Sequence, residues 1–142
     1  MKCNHLLPLV SNLLLGSLLS INSYAHELIV NVDNITQKKG VMMIALYNSI
    51  NDYQTNNVAF SGQKIAVIAN TLTIKFGDMP SGEYAITLFH DENENGVLDK
   101  NLLGIPTEGY GFSNNRNTMG QPDFAEAKFD VNDNTIITIH LR

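Results

Sequence analysis

Apolar and polar residues alternate along most of this chain, and a period of two is typical of a β-strand with one buried face. Residues 28–33, 83–90 and 135–141 show the alternation most clearly. The run KGVMMIALY, residues 39–47, is apolar on both faces, as in a strand that is covered on both sides. No stretch of ten or more residues carries a helical stripe, although residues 48–57 are predicted to hold one turn of helix.

Clusters of turn-forming residues separate the strands at 78–82, 93–96 and 133–134. Two short β-branched segments, 64–69 and 71–76, add further strands. One more is predicted from apolar residues that share a face: Ala125, Ala127, Phe129 and Val131. We therefore predict an all-β protein, a single antiparallel β-sandwich of about seven strands that is Ig-like or prealbumin-like.

The first 25 residues are predicted to be a secretory signal peptide and not part of the fold. Lys2 supplies a positive start, residues 6–19 are mostly apolar, and Ser23 and Ala25 occupy the two positions that a signal peptidase reads. The apolar run is shorter than the roughly 20 residues that span a bilayer. We expect an exported domain of residues 26–142, periplasmic or secreted, with no membrane span.

Cysteine content and charge narrow the possible functions of that domain. Cys3 is the chain's one cysteine and falls within the signal peptide, so a core, with or without a metal, has to stabilise the mature protein. The net charge is −5 and the basic residues do not cluster. No nucleic-acid partner is expected, because binding nucleic acid depends on neutralising phosphates.

The stretch HDENENGVLD, residues 90–99, has most of the pattern of a calcium-binding loop. Calcium takes oxygen ligands, which such a loop supplies at alternate positions around a glycine. The predicted ligands are the side chains of Asp91, Asn93, Asn95 and Asp99 and the main-chain carbonyl of Val97. Leu102 replaces the final glutamate of an EF-hand, so Glu108 is predicted to supply the missing carboxylate. Calcium is the cofactor that this pattern favours, with weak affinity.

The same residues also suit a plain hairpin turn, because Asn and Gly tolerate positive φ, and both interpretations stay open. His90 precedes the loop directly. We interpret it as a strand-end histidine bonded to a backbone carbonyl, in preference to a ligand or general base.

Residues 101–122 break the alternation and contain four glycines and two prolines. We predict an ordered loop folded over one end of the sandwich. Its predicted ligand-binding residues are Tyr110, Phe112, Ser113 and Asn114, because aromatic and polar side chains suit a glycan, a peptide or another cell-envelope ligand. The alternative is that Tyr110 and Phe112 close the end of the core.

Three runs carry a resemblance to a known family: MPSGEYA at 79–85, HDENENG at 90–96 and GIPTEGYGFSN at 104–114. The chain is similar to the secreted bacterial family known as domain of unknown function 2141. That resemblance implies an exported β-sandwich with no assigned activity and no established catalytic residue. More loosely, the chain resembles prealbumin-like and collagen-adhesin B-type modules, some relatives of which carry strand-flanked calcium loops.

Two classes of function remain on the sequence alone. A binding module whose end loops, residues 90–115, are organised by calcium is favoured over an enzyme. The enzymatic alternative is a small acid/base site at His90, Asp91 and Glu108. A structural or adhesive module is a further possibility.

Overall fold

The structure is a computed structural model that describes residues 25–142. Its strands are β1 His26–Asp33, β2 Val41–Tyr47, β3 Ser61–Ala66, β4 Leu72–Met79, β5 Gly82–Asp91, β6 Tyr110–Phe112, β7 Phe129–Val131 and β8 Thr135–His140. Two short helices, α1 Ile50–Thr55 and α2 Phe124–Ala127, and a 3-10 turn at Ser113–Asn115 connect them. The predicted signal peptide lies outside the described residues apart from Ala25.

The strands form two sheets, as predicted for an all-β sandwich. One sheet has the order β4-β1-β8, and the other has the order β3-β2-β5-β6 with β7 also paired to β5. Every pairing between these strands is antiparallel except that of β1 with β8, which is parallel. The last strand of the domain therefore lies beside the first and runs in the same direction.

The core lies between the two sheets and is built from the alternating positions that the sequence pattern picked out. Its fully buried members include Leu28, Val30 and Val32 of β1, Leu46 of β2, Ile86 of β5 and Ile139 of β8. Each of these strands turns its other face outward, which is the arrangement that a period of two produces.

A second apolar cluster covers the outer face of the larger sheet. Its members are Tyr47, Tyr53, Ala85, Phe124 and Ala127. Helix α1, predicted as one turn, begins where the hydroxyl of Ser49 accepts a hydrogen bond from the N–H of Asp52, and it ends at Asn56 with φ 47°. The predicted strand through Ala125 and Val131 is divided, because α2 takes its first half and β7 its second.

No helix within residues 25–142 is long and apolar enough to cross a membrane.

Candidate functional site

One end of the sandwich gathers the loops that the sequence singled out. Val41, the first residue of β2, pairs with Asp91, the last residue of β5. The N–H of Val67 donates to the carbonyl of Gly40 over 3.0 Å, which brings the loop after β3 to the same end. We call residues 34–40, 67–71 and 91–109 together the loop end.

Gly40 fixes how closely two of these loops approach. Its φ is +64°, and a Cβ atom there would lie 2.2 Å from the carbonyl oxygen of Asp91 and 2.7 Å from the Cα of Glu92. Any other residue would collide with that backbone, so only glycine lets the loop before β2 lie against the start of residues 91–99, which we call the acidic loop.

The carboxylate of Asp91 organises the acidic loop. Asp91 is fully buried. Its Oδ1 accepts a hydrogen bond from the N–H of Asn95 over 3.0 Å, and its Oδ2 accepts one from the N–H of Gly96 over 2.8 Å. The chain therefore turns back around this carboxylate, and the turn is completed by Gly96 with φ 83°.

The other predicted ligand side chains converge on the same turn. Oδ1 of Asn93 accepts from the N–H of Asn95 over 3.1 Å, and Oδ1 of Asn95 accepts from the N–H of Val97 over 3.0 Å. The side-chain amides of Asn93 and Asn95 donate to the two carboxylate oxygens of Asp99 over 2.6 and 3.0 Å. The four side chains thus lie within one hydrogen-bonded group.

The carboxylate of Glu108 holds together the two ends of the acidic loop. It is buried, and its Oε1 accepts from the N–H of Glu92 over 2.8 Å while its Oε2 accepts from the N–H of Asp99 over 3.0 Å. The N–H of Thr107 adds a bond to the carbonyl of Asp99 over 2.8 Å. One carboxylate therefore clamps both ends of the acidic loop, and it does so through backbone amides.

Across the described part of the chain, no three His, Cys, Asp or Glu side chains are grouped as they would be around a metal ion. A cation at the loop end would therefore need amide and main-chain oxygens beside the carboxylates of Asp91 and Asp99. Calcium accepts such ligands, whereas zinc prefers nitrogen and sulfur.

His90 is buried at the end of β5, and its contacts agree with the interpretation made from the sequence. Its Nε2 lies 2.7 Å from the carbonyl oxygen of Lys39, so Nε2 has to carry a hydrogen in order to donate. The three groups of the enzymatic alternative are thus each engaged with backbone: His90 with a carbonyl, and Asp91 and Glu108 with N–H groups.

A cleft of about 400 Å³ opens beside this clamp. We call it the end cleft. Its lining includes Asn34, His90, Glu92, Thr107, Glu108 and Arg142. Glu92 and Glu108 are among the lining residues, and their carboxylate oxygens can accept hydrogen bonds from a polar ligand.

Tyr110 and Phe112 lie on β6, on the outer face of the larger sheet. Their rings meet edge to face at 5.9 Å between centroids, and the guanidinium of Arg142 lies 5.0 Å from the Tyr110 centroid and 5.4 Å from that of Phe112. The residue between them, Gly111, faces the core instead, beside the side chains of Leu88 and Ile139. The two aromatic rings are half-buried and are not members of the core cluster between the sheets.

Ser113 and Asn114 lie further along, away from the loop end. The buried hydroxyl of Ser113 accepts from the N–H of Ile86 over 2.9 Å and donates to the carbonyl of Ala127 over 2.6 Å. The side-chain amide of Asn114 donates to the carbonyls of Glu126 and Lys128 over 2.9 and 2.8 Å. The four predicted ligand-binding residues are therefore split between an aromatic pair and two anchors of α2.

Sequence reasoning missed Arg142 and Asn34, which both line the end cleft. Arg142 is brought there because its backbone pairs with Tyr110, with N–H to carbonyl distances of 3.1 and 3.0 Å. That pairing joins residues distant in sequence and leaves no local periodic signal.

Comparison with known proteins gives one match. A family model described as "Uncharacterized protein conserved in bacteria (DUF2141)" matches residues 30–138. The matched range runs from β1 into β8 and contains the whole loop end. No match was found among curated proteins or among solved structures.

Proposed function

The chain belongs to the DUF2141 family of uncharacterized bacterial proteins, and we propose that it is an exported binding module whose ligand site lies at the loop end and is organised by calcium. Two parts of the structure support the proposal separately. The acidic loop supplies the oxygens for a cation, and the end cleft supplies a surface for a ligand. Glu108 belongs to both, because it clamps the loop and lines the cleft.

The convergence of four oxygen-bearing side chains carries the calcium part of the proposal. Asp91, Asn93, Asn95 and Asp99 are linked by hydrogen bonds within a single turn. A carbonyl or carboxylate oxygen has more than one lone pair, so an oxygen that accepts an N–H can also bind a cation. Calcium would replace the side-chain amide N–H groups that now donate hydrogen bonds to Asp99, and it would tie the loop more firmly to Asp91.

The end cleft supports the part of the proposal that concerns ligand binding. Its volume of about 400 Å³ lies within the usual range for a small-molecule site. The carboxylate oxygens of Glu92 and Glu108 can accept hydrogen bonds from a ligand in the cleft, which suits the hydroxyl groups of a glycan or the N–H groups of a peptide. The guanidinium of Arg142 lies against Tyr110 and Phe112 and donates to the carbonyls of Arg116 and Gly120 over 3.0 and 3.4 Å, so these two rings lie beside a residue of the end cleft.

Calorimetric titration of chelator-treated protein with calcium tests whether the acidic loop binds the ion. We expect heat with a dissociation constant of about 10⁻⁴ to 10⁻³ M, together with a rise in melting temperature. Asp99→Asn should abolish both effects, since it removes one of the two carboxylates of the turn. Glu94→Gln is the matched control, because Glu94 lies in the same loop and is exposed. No heat and no rise in melting temperature at millimolar calcium would discard the calcium part.

Retention of the protein on glycan arrays and on cell-wall material tests whether the end cleft binds a ligand. Tyr110→Ala and Arg142→Gln should reduce retention, because they remove the ring and the guanidinium beside the end cleft. Phe60→Ala serves as the control, since this partly exposed aromatic residue packs against Tyr84 instead. Equal retention of all three variants and the wild type would count against this site.

A further inference from the structure

The acidic loop contains the one Asn-Gly pair of the chain, Asn95 and Gly96. An asparagine followed by glycine is the pair that most readily loses ammonia in water, because glycine has no side chain to hinder its nitrogen from reaching the preceding amide. Both residues are exposed, so water and hydroxide have access to them. The hydrogen bonds around the pair therefore decide whether it reacts.

The reaction of such a pair, deamidation, joins two atoms of neighbouring residues. The main-chain nitrogen of Gly96 gives its proton to hydroxide and attacks Cγ of Asn95. The bond from Cγ to Nδ2 breaks, and Nδ2 takes up a proton from water and leaves as ammonia. A water molecule then opens the resulting five-membered imide at one of its two carbonyls. Opening at the side-chain carbonyl gives aspartate, and opening at the main-chain carbonyl gives isoaspartate, in which the main chain runs through Cγ.

The polar atoms that react are held by hydrogen bonds in the folded protein. The N–H of Gly96 donates to Oδ2 of the buried Asp91 over 2.8 Å. Nδ2 of Asn95, the leaving group, donates to Oδ1 of Asp99 over 3.0 Å, and Oδ1 of Asn95 accepts from the N–H of Val97 over 3.0 Å. The nucleophile, the leaving group and the carbonyl are thus all engaged by other groups of the loop.

The hydrogen bond from Gly96 to Asp91 opposes the reaction most directly. Attack requires that Gly96 lose its proton, and the amide anion that results would lie against the negative charge of Asp91. A hydrogen bond to a charged group would also be lost at that step. The N–H of Val97 polarises the Asn95 carbonyl, which favours attack, but only after the Gly96 nitrogen has been freed. The closed loop should therefore be unreactive.

We propose that Asn95 is a deamidation site, which Asp91 protects in the closed acidic loop and which reacts when the loop opens. The product opposes closing of the loop. An aspartate at position 95 would set its carboxylate against that of Asp99, where the amide now donates over 3.0 Å. Isoaspartate would lengthen the main chain and displace the N–H of Gly96 from Asp91. The modification is therefore irreversible, and it depends neither on calcium nor on the proposed ligand.

Incubation in mildly alkaline buffer, followed by peptide mass spectrometry and an isoaspartate assay, tests the site in the folded protein and in urea. We expect Asn95 to convert in urea and to convert at least about tenfold more slowly in the folded protein, since a hydrogen bond to a charged group has to break first. Asp91→Asn, verified as folded by its thermal transition, should convert faster than the wild type. Glu94→Gln is the matched control and should convert at the wild-type rate, because Glu94 is an exposed neighbour of the pair.

Hydrogen exchange of the Gly96 N–H gives a second measurement that needs no variant to fold. In the wild type, exchange should be slowed by a factor similar to that for deamidation, because both processes need the loop to open. Exchange as fast as in urea, or equal conversion of Asn95 in the folded and the unfolded protein, would overturn the protection. No conversion in urea would overturn the site itself, and a folded Asp91→Asn that converts like the wild type would overturn the role of Asp91.

The effect of the modification on the loop is tested with Asn95→Asp. This variant should melt at a lower temperature than the wild type, and its Gly96 N–H should exchange faster, because the carboxylates at positions 95 and 99 repel each other. An unchanged melting temperature and an unchanged exchange rate would show that the loop closes after deamidation, and would overturn that part of the proposal.

Discussion

Almost every buried polar group described above is satisfied, and the exception is informative. Asp91, Glu108, His90 and Ser113 each have hydrogen-bond partners in the backbone. Among the buried side-chain polar atoms of residues 25–142, the hydroxyl of Tyr53 alone has no partner. Tyr53 belongs to α1, and its ring packs edge to face against Tyr47 of β2 and Phe124 of α2. This hydroxyl therefore carries a desolvation cost that no contact offsets.

Tyr53→Phe removes that hydroxyl and keeps the ring. We expect stability to stay level or to rise by about 1 kcal/mol, measured by denaturant unfolding. Tyr84→Phe provides the contrast, because the Tyr84 hydroxyl donates to the carbonyl of Pro80 over 2.9 Å. That variant should lose about 1 kcal/mol. A large loss in Tyr53→Phe would reveal a partner for its hydroxyl.

The pH dependence of stability gives an independent check on Tyr53. Burial, with smaller contributions from Asp123, Tyr47 and Glu126, raises the pKa of its phenol above the usual value of 10.0. The unfolded chain then loses this proton first as pH rises, so wild-type stability should fall above pH 10 by up to about 1.4 kcal/mol per pH unit. Tyr53→Phe should flatten that part of the profile. An unchanged slope would mean that other groups cause the fall.

Strand β6 is short, yet it contacts both sheets of the sandwich. It has only three residues, yet it pairs with β5 and lies against β8. A Cβ at Gly111 would stand 2.7 Å from Cγ2 of Ile139, so the strand can lie this close only because glycine has no side chain. Beyond it, Ser113 and Asn114 anchor α2, which four residues could not stabilise alone.

Asn114→Gly separates anchoring from ligand binding. Glycine keeps the positive φ of 63° at this position and removes the amide that reaches two carbonyls. We expect a loss of about 1 to 2 kcal/mol in thermal or denaturant unfolding, with unchanged ligand retention. Lower retention at unchanged stability would instead support the ligand-binding role predicted from the sequence.

The elements differ in how well the sequence predicts them. Long strands such as β1 and β5 follow from alternation alone, because one sheet face is buried along their whole length. Helix α2 cannot be predicted in this way, because the sequence Phe-Ala-Glu-Ala is compatible both with a strand of period two and with a single helical turn. The two alanines favour the helix. The turn of the acidic loop is predicted by the spacing of its Asp and Asn residues around Gly96. The backbone carbonyl partner of His90 is predicted from its place at the end of a strand. The two backbone N–H partners of Glu108 are not predicted, because an N–H group carries no sequence signal.

On the scale of the whole molecule, the smaller sheet depends on contact between the two ends of the domain. β1 lies between β4 and β8, and the side chain of Ile139 on β8 is fully buried. Ile139→Ala should therefore cost about 2 to 5 kcal/mol in denaturant unfolding. Ile136→Ala, on the outward face of the same strand and 65% exposed, should change stability by less than about 1 kcal/mol. Similar losses for both variants would contradict this arrangement of the faces.

The parallel contact of β1 with β8 also sets an order of events during biosynthesis. Among the described strands, β1 at the centre of the smaller sheet is made first and β8, which completes that sheet, is made last. The smaller sheet therefore cannot be completed until β8 has been synthesised. Because β1 and β8 lie far apart in sequence, their pairing is a non-local contact of the kind that slows folding.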